Sequence, residues 1–315
     1  MSLKNLSHKI NIIIVTYNGI PWLQECLSSC EDFPVVVVDN DSSDGTVALI
    51  KKKFPKVQVF PQKQNLGFGQ ANNLGIRYAL ANGANYVFLL NQDAYLETGC
   101  IEKLVAVQKR NAKYGILSPV HLNGNGNVLD KSFSGFLAYK NNRFFYSDFV
   151  LKKPLQEIYD VPFVNAAGWL LSKNILETIG GFDPIFFHYG EDDNFCQRAR
   201  FHGFKIGVVP TTYLRHDREN RPIEKFEKGT EKYFQRMELS LRVRYANINN
   251  EDISKMKEQL FIKKKDLLKA CISLNFNRVN LLLKEIKLFN KNTSVIKNSR
   301  KINTEIKSKY LYINN

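Results

Sequence analysis

Apolar runs of four or five residues, separated by stretches of helical period, organise the first two hundred residues. Residues 12–15, 35–38 and 86–90 are continuously apolar, the pattern of strands buried on both faces. Residues 57–60 predict a shorter strand between the last two. Pro21, just past the turn Thr16-Tyr17-Asn18-Gly19, opens a helix, because proline suits the first helical position. Residues 41–46, Asp-Ser-Ser-Asp-Gly-Thr, supply turn residues and an N-cap for the next helix. Another helix follows Asn65-Leu66-Gly67-Phe68-Gly69 and runs to about Ala81. Strands separated by helices predict right-handed βαβ units, hence an α/β fold with a mostly parallel sheet flanked by helices.

Between residues 120 and 160 the pattern loosens. Residues 123–127, Asn-Gly-Asn-Gly-Asn, are a turn cluster, and 133–149 read as hairpins rather than helices. Order returns at 166–171, with helices at about 173–179 and 192–203 and a strand at 205–209. From about residue 224 the chain reads as successive amphipathic, lysine-rich helices. Their breaks are predicted near 247–250, 275 and 290–293.

Charge sharpens that division. Of the net +15, residues 221–315 hold 22 Lys/Arg against 10 Asp/Glu, while residues 1–220 hold 23 against 20. We therefore expect a nearly neutral catalytic domain over 1–222 and a basic α-helical region over 223–315. The basic region is expected to serve membrane docking or oligomerisation. Hydrophobic content of 44% is ordinary for a globular chain. The five cysteines form no metal-ligand pattern; Cys26 and Cys30 read as two small residues on one helix face. The apolar run at 10–15 is too short for a signal peptide, and no run approaches the ~20 residues of a membrane span. A cytoplasmic location is expected, or a peripheral one on the inner face of the cell membrane.

Three acidic sites carry the candidate chemistry. Asp39 and Asp93 each follow an apolar run, and carboxyl ends of strands are where open α/β sheets bind ligands. Asp39 is placed to accept a hydrogen bond from a uracil or thymine ring nitrogen, with Thr16, Tyr17 and Asn18 on the other side of the base. Asp93 suits a hard cation, Mn²⁺ or Mg²⁺, that completes its shell with phosphate oxygens and water. Glu191, Asp192 and Asp193 are adjacent acids whose mutual repulsion raises at least one pKa, which suits a general base. His216, beyond the following strand, is a candidate second metal ligand. Taken singly, each has a plainer reading: a turn residue, an Asx turn, an acidic helix N-terminus, an ordinary histidine.

Five segments in order resemble family 2 glycosyltransferases, most closely the bacterial rhamnosyltransferase-like branch. They are Ile14-Val15-Thr16-Tyr17-Asn18-Gly19, the run from Val38 to Thr46, the run from Asn65 to Asn73, Leu89-Leu90-Asn91-Gln92-Asp93, and Gly180-Gly181-Phe182-Asp183 through Glu191-Asp192. The resemblance covers about residues 10–217. It implies a GT-A Rossmann-like fold, a nucleotide-sugar donor, a divalent metal and an inverting single displacement. By position it implies nucleotide contacts at Thr16, Tyr17, Asn18, Asp39, Asn65, Gly67, Asn72 and Asn91. It implies metal ligation by Asp93 and His216, Asp192 as base with Glu191 beside it, and acceptor contacts at Trp169. Asn91 replaces the first acid of the metal motif, and Asn194 stands where the branch often has a further acid.

The function expected is transfer of a sugar from a dTDP- or UDP-linked donor to a saccharide or lipid-linked acceptor in surface polysaccharide synthesis. The alternative is a catalytically silent nucleotide-sugar-binding scaffold, which retention of Asp93 and Asp192 disfavours. The basic region contains no recognisable nucleic-acid module, so nucleic acid is not expected as a partner. Solvated helix faces, docking on anionic lipid and a homo-oligomer interface stay open for it. Lys263-Lys264-Lys265 beside Leu267 and Leu268 is the candidate for lipid docking.

Overall fold

Ile12, Ile13 and Ile14 are all fully buried, yet they belong to two different cores. The reason is the strand they share, β1 (Ile10–Thr16), which has helices on both faces, so alternate side chains enter opposite layers. Burying each such side chain contributes about 1.5–3 kcal/mol. The computed structural model describes residues 9–30, 33–218, 227–250, 253–307 and 309–311. The chain divides into two units, Met1–Arg221 with Ile306–Asn315, and Pro222–Glu305.

In the first unit, β1 leads into α1 (Ile20–Ser29), with proline in its first turn. β2 (Val35–Asp39), α2 (Thr46–Lys53), β3 (Gln58–Pro61), α3 (Gly67–Ala81) and β4 (Tyr86–Asn91) follow. The N-cap of α2 is Gly45 rather than a side-chain cap. Asp44 takes over: its carboxylate accepts from Thr46 N at 3.0 Å and from Ile20 N at 3.2 Å, tying the starts of α1 and α2 together. On α3, Gly75 allows close packing, since a Cβ there would lie 2.4 Å from Ile13 Cγ2.

β5 (Ala94–Leu96), α4 (Cys100–Arg110) and β6 (Tyr114–Asn123) continue the unit. Residues 133–149 do not form hairpins. They carry α5 (Lys131–Phe136) and α6 (Phe145–Val150). Asp130 accepts from Phe133 N at 2.8 Å, and Asn142 accepts from Phe144 N and Phe145 N at 2.9 Å each. Asp130 is thus the N-cap of the first, Asn142 ties down the turn before the second, and Phe133 and Phe145 are core residues. β7 (Tyr159–Asp160), β8 (Gly168–Ser172), α7 (Lys173–Ile179), α8 (Glu191–Phe201) and β9 (Lys205–His216) complete the unit.

The nine strands form one sheet in the order β3-β2-β1-β4-β8-β6-β9-β5, with β7 beside β9. From β3 to β4 all pairs are parallel. β8 then runs antiparallel to both β4 and β6, while β6 and β9 are again parallel. The expected α/β architecture with flanking helices is present, its parallel half holding the amino-terminal motifs and its mixed half the rest.

The second unit contains α9 (Glu231–Tyr245), α10 (Ser254–Ile272) and α11 (Phe276–Asn303). The break predicted at 290–293 is absent. Asn292 is buried inside α11, where it donates to Leu288 O at 2.9 Å and accepts from Arg242 Nε at 2.8 Å. Thr293 Oγ1 donates to Phe289 O at 2.8 Å. Both side chains bond back to the helix instead of ending it. Asn275 does mark a boundary, as the N-cap that accepts from Arg278 N at 3.1 Å. Among the described residues no helix is long and apolar enough to cross a membrane.

Candidate active site

Parallel register brings the ends of three strands level. Thr16 lies opposite Asp39 on β2, and Val15 opposite Asn91 on β4. The loops beyond these ends, with the loop before α8, enclose a cavity of about 460 Å³. Tyr17, Asn65, Gly67, Asn91, Asp93, Glu191, Asp192 and His216 all line it. Eight of the thirteen residues picked from the sequence therefore share one wall-to-wall space.

Thr16, Asn18 and Asp39 stand behind that lining. Asp39 Oδ1 accepts from Thr16 Oγ1 at 2.7 Å and from Ser42 Oγ at 2.6 Å, and Oδ2 from Ser42 N at 3.0 Å. Asn18, at φ 49°, accepts from Ser43 N at 2.9 Å and gives its own N–H to Ser42 Oγ at 2.9 Å. These bonds fix the edge of the crevice. Asn72 is buried on α3 and donates to Phe68 O at 3.0 Å, away from the cavity. Trp169 corrects the expectation most clearly. It is fully buried on β8 and packs against Phe182 and Phe195, outside the lining, because β8 is a central strand buried on both faces.

Asp93 occupies the turn between β4 and β5. Ala94 pairs with His216 across β5 and β9, and Asp217 N donates to Asp93 O at 2.8 Å. This register sets His216 Nε2 3.4 Å from Asp93 Oδ1. The ring is buried, and neither nitrogen meets hydrogen-bond geometry among the described residues. Beside them Arg218 reaches the cavity and pairs with buried Asp130. Burial pushes the Asp130 carboxyl up, but bonds from Arg218 and Phe133 N outweigh it and hold it below its ordinary value. No group of three His, Cys, Asp or Glu converges as a metal cluster among the described residues.

Glu191, Asp192 and Asp193 form the first turn of α8, after Gly190 at φ 81°. A helix N-terminus favours carboxylates, yet burial prevails here. Burial, then the charge of Asp192, pushes the Glu191 carboxyl up to about 8. Burial, then Asp193, pushes Asp192 up to about 7, although backbone N–H groups pull the other way. Glu191 Oε2 is buried without a hydrogen-bond partner among the described residues, as are Asn91 Oδ1 and Asn165 Oδ1 in the same lining. Asn194, where a further acid was a question, faces inward and accepts from Arg198 Nε at 2.9 Å. Arg198 in turn donates to Ile179 O and Gly181 O at 2.7 and 2.6 Å, fastening α8 to the turn before it.

Three carboxamides that sequence reasoning missed hold the site's loops. Gln92 accepts from Tyr17 N at 2.9 Å and donates to Tyr17 O at 3.1 Å. Asn40 donates to Gly67 O and accepts from Leu66 N, both at 3.2 Å. Asn73 binds both backbone groups of Phe182. All three sit inside the quoted motifs, so an Asn or Gln directly beside a strand end or buried helix face was the available signal. Gly67 marks the closest approach: at φ 77°, a Cβ there would lie 1.9 Å from Phe187 O. Only glycine lets the loop carrying Phe187 close on that turn.

The sheet with its flanking helices is a GT-A fold. The chain belongs to glycosyl transferase family 2, whose model matches residues 11–180, and it is a glycosyltransferase. It is similar to the low-salt glycan biosynthesis hexosyltransferase Agl10 of Haloferax volcanii, 29% identical over 250 residues that span 76% of each chain. It is also similar to the dTDP-rhamnosyl transferase RfbF of Shigella flexneri, 27% identical across 67% of this chain and 70% of that one. The N-acetylglucosaminyl-diphospho-decaprenol L-rhamnosyltransferase of Mycobacterium tuberculosis is 26% identical across 65% and 75%. In fold it resembles S. aureus TarS residues 1–349, crystallised with UDP-GlcNAc, at TM-score 0.53 and 16% identity over 94% of this chain and 88% of that one.

Proposed function

We propose that this chain transfers a sugar, with inversion, from a dTDP- or UDP-linked donor to a saccharide or lipid-linked acceptor in surface polysaccharide synthesis. The observation that carries this reading is the placement of Asp93 with His216, and of Asp192 with Glu191, on one cavity lining. The relatives support it: one is named for a dTDP-rhamnosyl donor and another for a decaprenol-linked acceptor.

In the proposed reaction Asp192 takes the proton of an acceptor hydroxyl. That oxygen bonds to the anomeric carbon while the bond to the diphosphate breaks, and the diphosphate leaves with the electron pair. With a carboxyl near about 7, Asp192 is poised between its two forms at neutral pH. Glu191, near about 8, stays largely protonated there and offers a hydrogen bond instead of a second charge. Asp93 and His216 would hold a divalent cation, Mn²⁺ or Mg²⁺, since both line the cavity with His216 Nε2 and Asp93 Oδ1 3.4 Å apart. Two protein ligands are enough when phosphate oxygens and water fill the shell. Such a cation supplies positive charge against the departing diphosphate. Tyr17, Asn65 and Gly67 are assigned to the nucleoside and diphosphate side, with Asp39 bracing that edge through Thr16 and Ser42.

The test is transfer itself. The chain is incubated with UDP- and dTDP-sugars and a polyprenyl-diphosphate saccharide, and the anomeric configuration of the product is read by NMR. An inverted product supports the reading; a retained configuration overturns the single displacement.

A further inference from the structure

We propose that the turn joining α10 to α11 is a docking tip for an anionic lipid bilayer. Phe261, Lys265, Leu268 and Ile272 recur at spacings of four, three and four along α10, so they share one side of the helix. That side faces solvent: Leu268 is 65% exposed and Ile272 84%. The stripe continues through the turn with Leu274, 72% exposed, and Phe276, 71% exposed. A helix of a water-bound unit normally shows its polar side outward. Here Met256 and Ala270 are buried and Leu260 and Leu267 half-buried, while Phe261, Ile262, Leu268 and Ile272 stay exposed.

The backbone supplies a second, independent observation. Leu274 adopts φ 52°, with its N–H donated to Cys271 O at 3.1 Å and Asn275 N donated to Ala270 O at 3.0 Å. This is the left-handed residue that ends a helix, a position glycine fills without strain. A leucine there is strained, and its side chain stays largely exposed.

Charge selects the occupant. Lys264, Lys265 and Lys269 are exposed beside the stripe, and Arg278 is exposed just past the turn. Lys263 does not belong with them. It is held by Glu285 at 2.5 Å and lies over the Phe289 ring, so the lysine triplet divides into one structural and two displayed residues. A second copy brought face to face would set the displayed lysines against their own kind. A nucleic acid would leave the apolar tip without a role. A bilayer with anionic headgroups takes both parts, lysines in the phosphate layer and Ile272, Leu274 and Phe276 at the acyl boundary. This deepens the reading of a lipid-linked acceptor, since it concentrates the enzyme on the surface that holds such an acceptor. The docking itself requires no acceptor.

The test uses the full chain in vesicle flotation, with phosphatidylcholine alone and with phosphatidylcholine containing phosphatidylglycerol. Binding is expected only on the anionic vesicles, falling roughly tenfold or more between about 50 mM and 500 mM salt. Leu274→Gly is expected to keep or raise thermal stability while weakening vesicle binding. Ile272→Ser with Phe276→Ser is expected to weaken it roughly tenfold or more, and Lys264→Gln with Lys265→Gln and Lys269→Gln to remove the anionic preference. Equal binding to neutral vesicles, no binding to either, or unchanged binding of the Ile272 and Phe276 variant would overturn the proposal. So would a wild-type dimer in light scattering that Leu274→Gly dissociates without any vesicle binding. A nucleotide-diphosphate thermal shift run in parallel separates the two readings: its retention alongside failed flotation removes the docking tip and leaves the transferase standing.

Discussion

Asn73 grips Phe182 by both edges of its carboxamide, accepting from Phe182 N at 2.7 Å and donating to Phe182 O at 2.8 Å. The two residues are 109 positions apart in the chain. One lies on the helix that follows the Gly67 turn, and the other begins the segment that leads to Asp192. The Gly67 helix and the segment leading to Asp192 are therefore fastened through one buried amide.

Removing that amide leaves two buried backbone groups unpaired, each costing about 1–3 kcal/mol. Asn73→Ala is expected to lose about 2–4 kcal/mol of stability in urea unfolding. Asn73→Asp keeps the acceptor for Phe182 N but sets a buried carboxylate oxygen against Phe182 O, so at neutral pH it should be at least as destabilised as alanine and recover as the pH falls. Equal stability of the alanine variant and the wild type would contradict the clamp.

Asp192→Asn preserves shape and removes the base. Turnover is expected to drop roughly 10²–10⁴-fold, the usual contribution of a positioned base. Nucleotide diphosphate affinity, which depends on the opposite wall, should stay within a few fold. Undiminished turnover would move the base elsewhere.

The raised carboxyls make a signed pH prediction. Glu191 and Asp192 hold their protons in the folded state up to about 8 and about 7, whereas an unfolded chain releases them near its ordinary carboxylate values. Their contribution is thus least unfavourable at acid pH, and stability is lost as pH rises from the unfolded values through the folded ones. Glu191→Gln should raise the melting temperature at about pH 8 and change it little at about pH 4. Activity runs the other way, rising with pH through about 7 as Asp192 ionises. A wild-type melting temperature that climbs between those pH values faster than the variant's would contradict the burial of Glu191.

His216→Ala and Asp93→Asn should each reduce the extra stabilisation that Mn²⁺ gives to bound nucleotide diphosphate, measured against that variant's own metal-free melting point, because loss of the buried His216 ring lowers the baseline as well. The readout is a melting curve with nucleotide, with and without the metal. Full retention of the metal effect in both variants would remove these two residues as its ligands.

Much of this was legible in the chain. Continuous apolar runs announced β1, β2 and β4 because strands buried on both faces leave no polar alternation. Turn and cap residues located the crevice at their carboxyl ends, and the acids at 93 and 191–192 fell into it. The residues around 133–149 were misread because two helices of six residues each are too short to show helical period, and their aromatic side chains, Phe133 and Phe145, pack inward among polar neighbours. Asn292 was misread as a helix break because its partner, Arg242, is fifty positions away. Trp169 looked like a ligand contact since sequence does not show which face of β8 it takes. Gln92, Asn40 and Asn73 escaped notice for a related reason: their role is to bind backbone of remote loops, which no local pattern records.

The most direct measurement is a thermal-shift panel of UDP, dTDP and their sugars, each with and without Mn²⁺ or Mg²⁺. The account predicts stabilisation by uridine or thymidine diphosphate species that grows with the metal and fades in His216→Ala. No shift with any of them, with or without metal, would contradict a nucleotide-sugar site in this cavity.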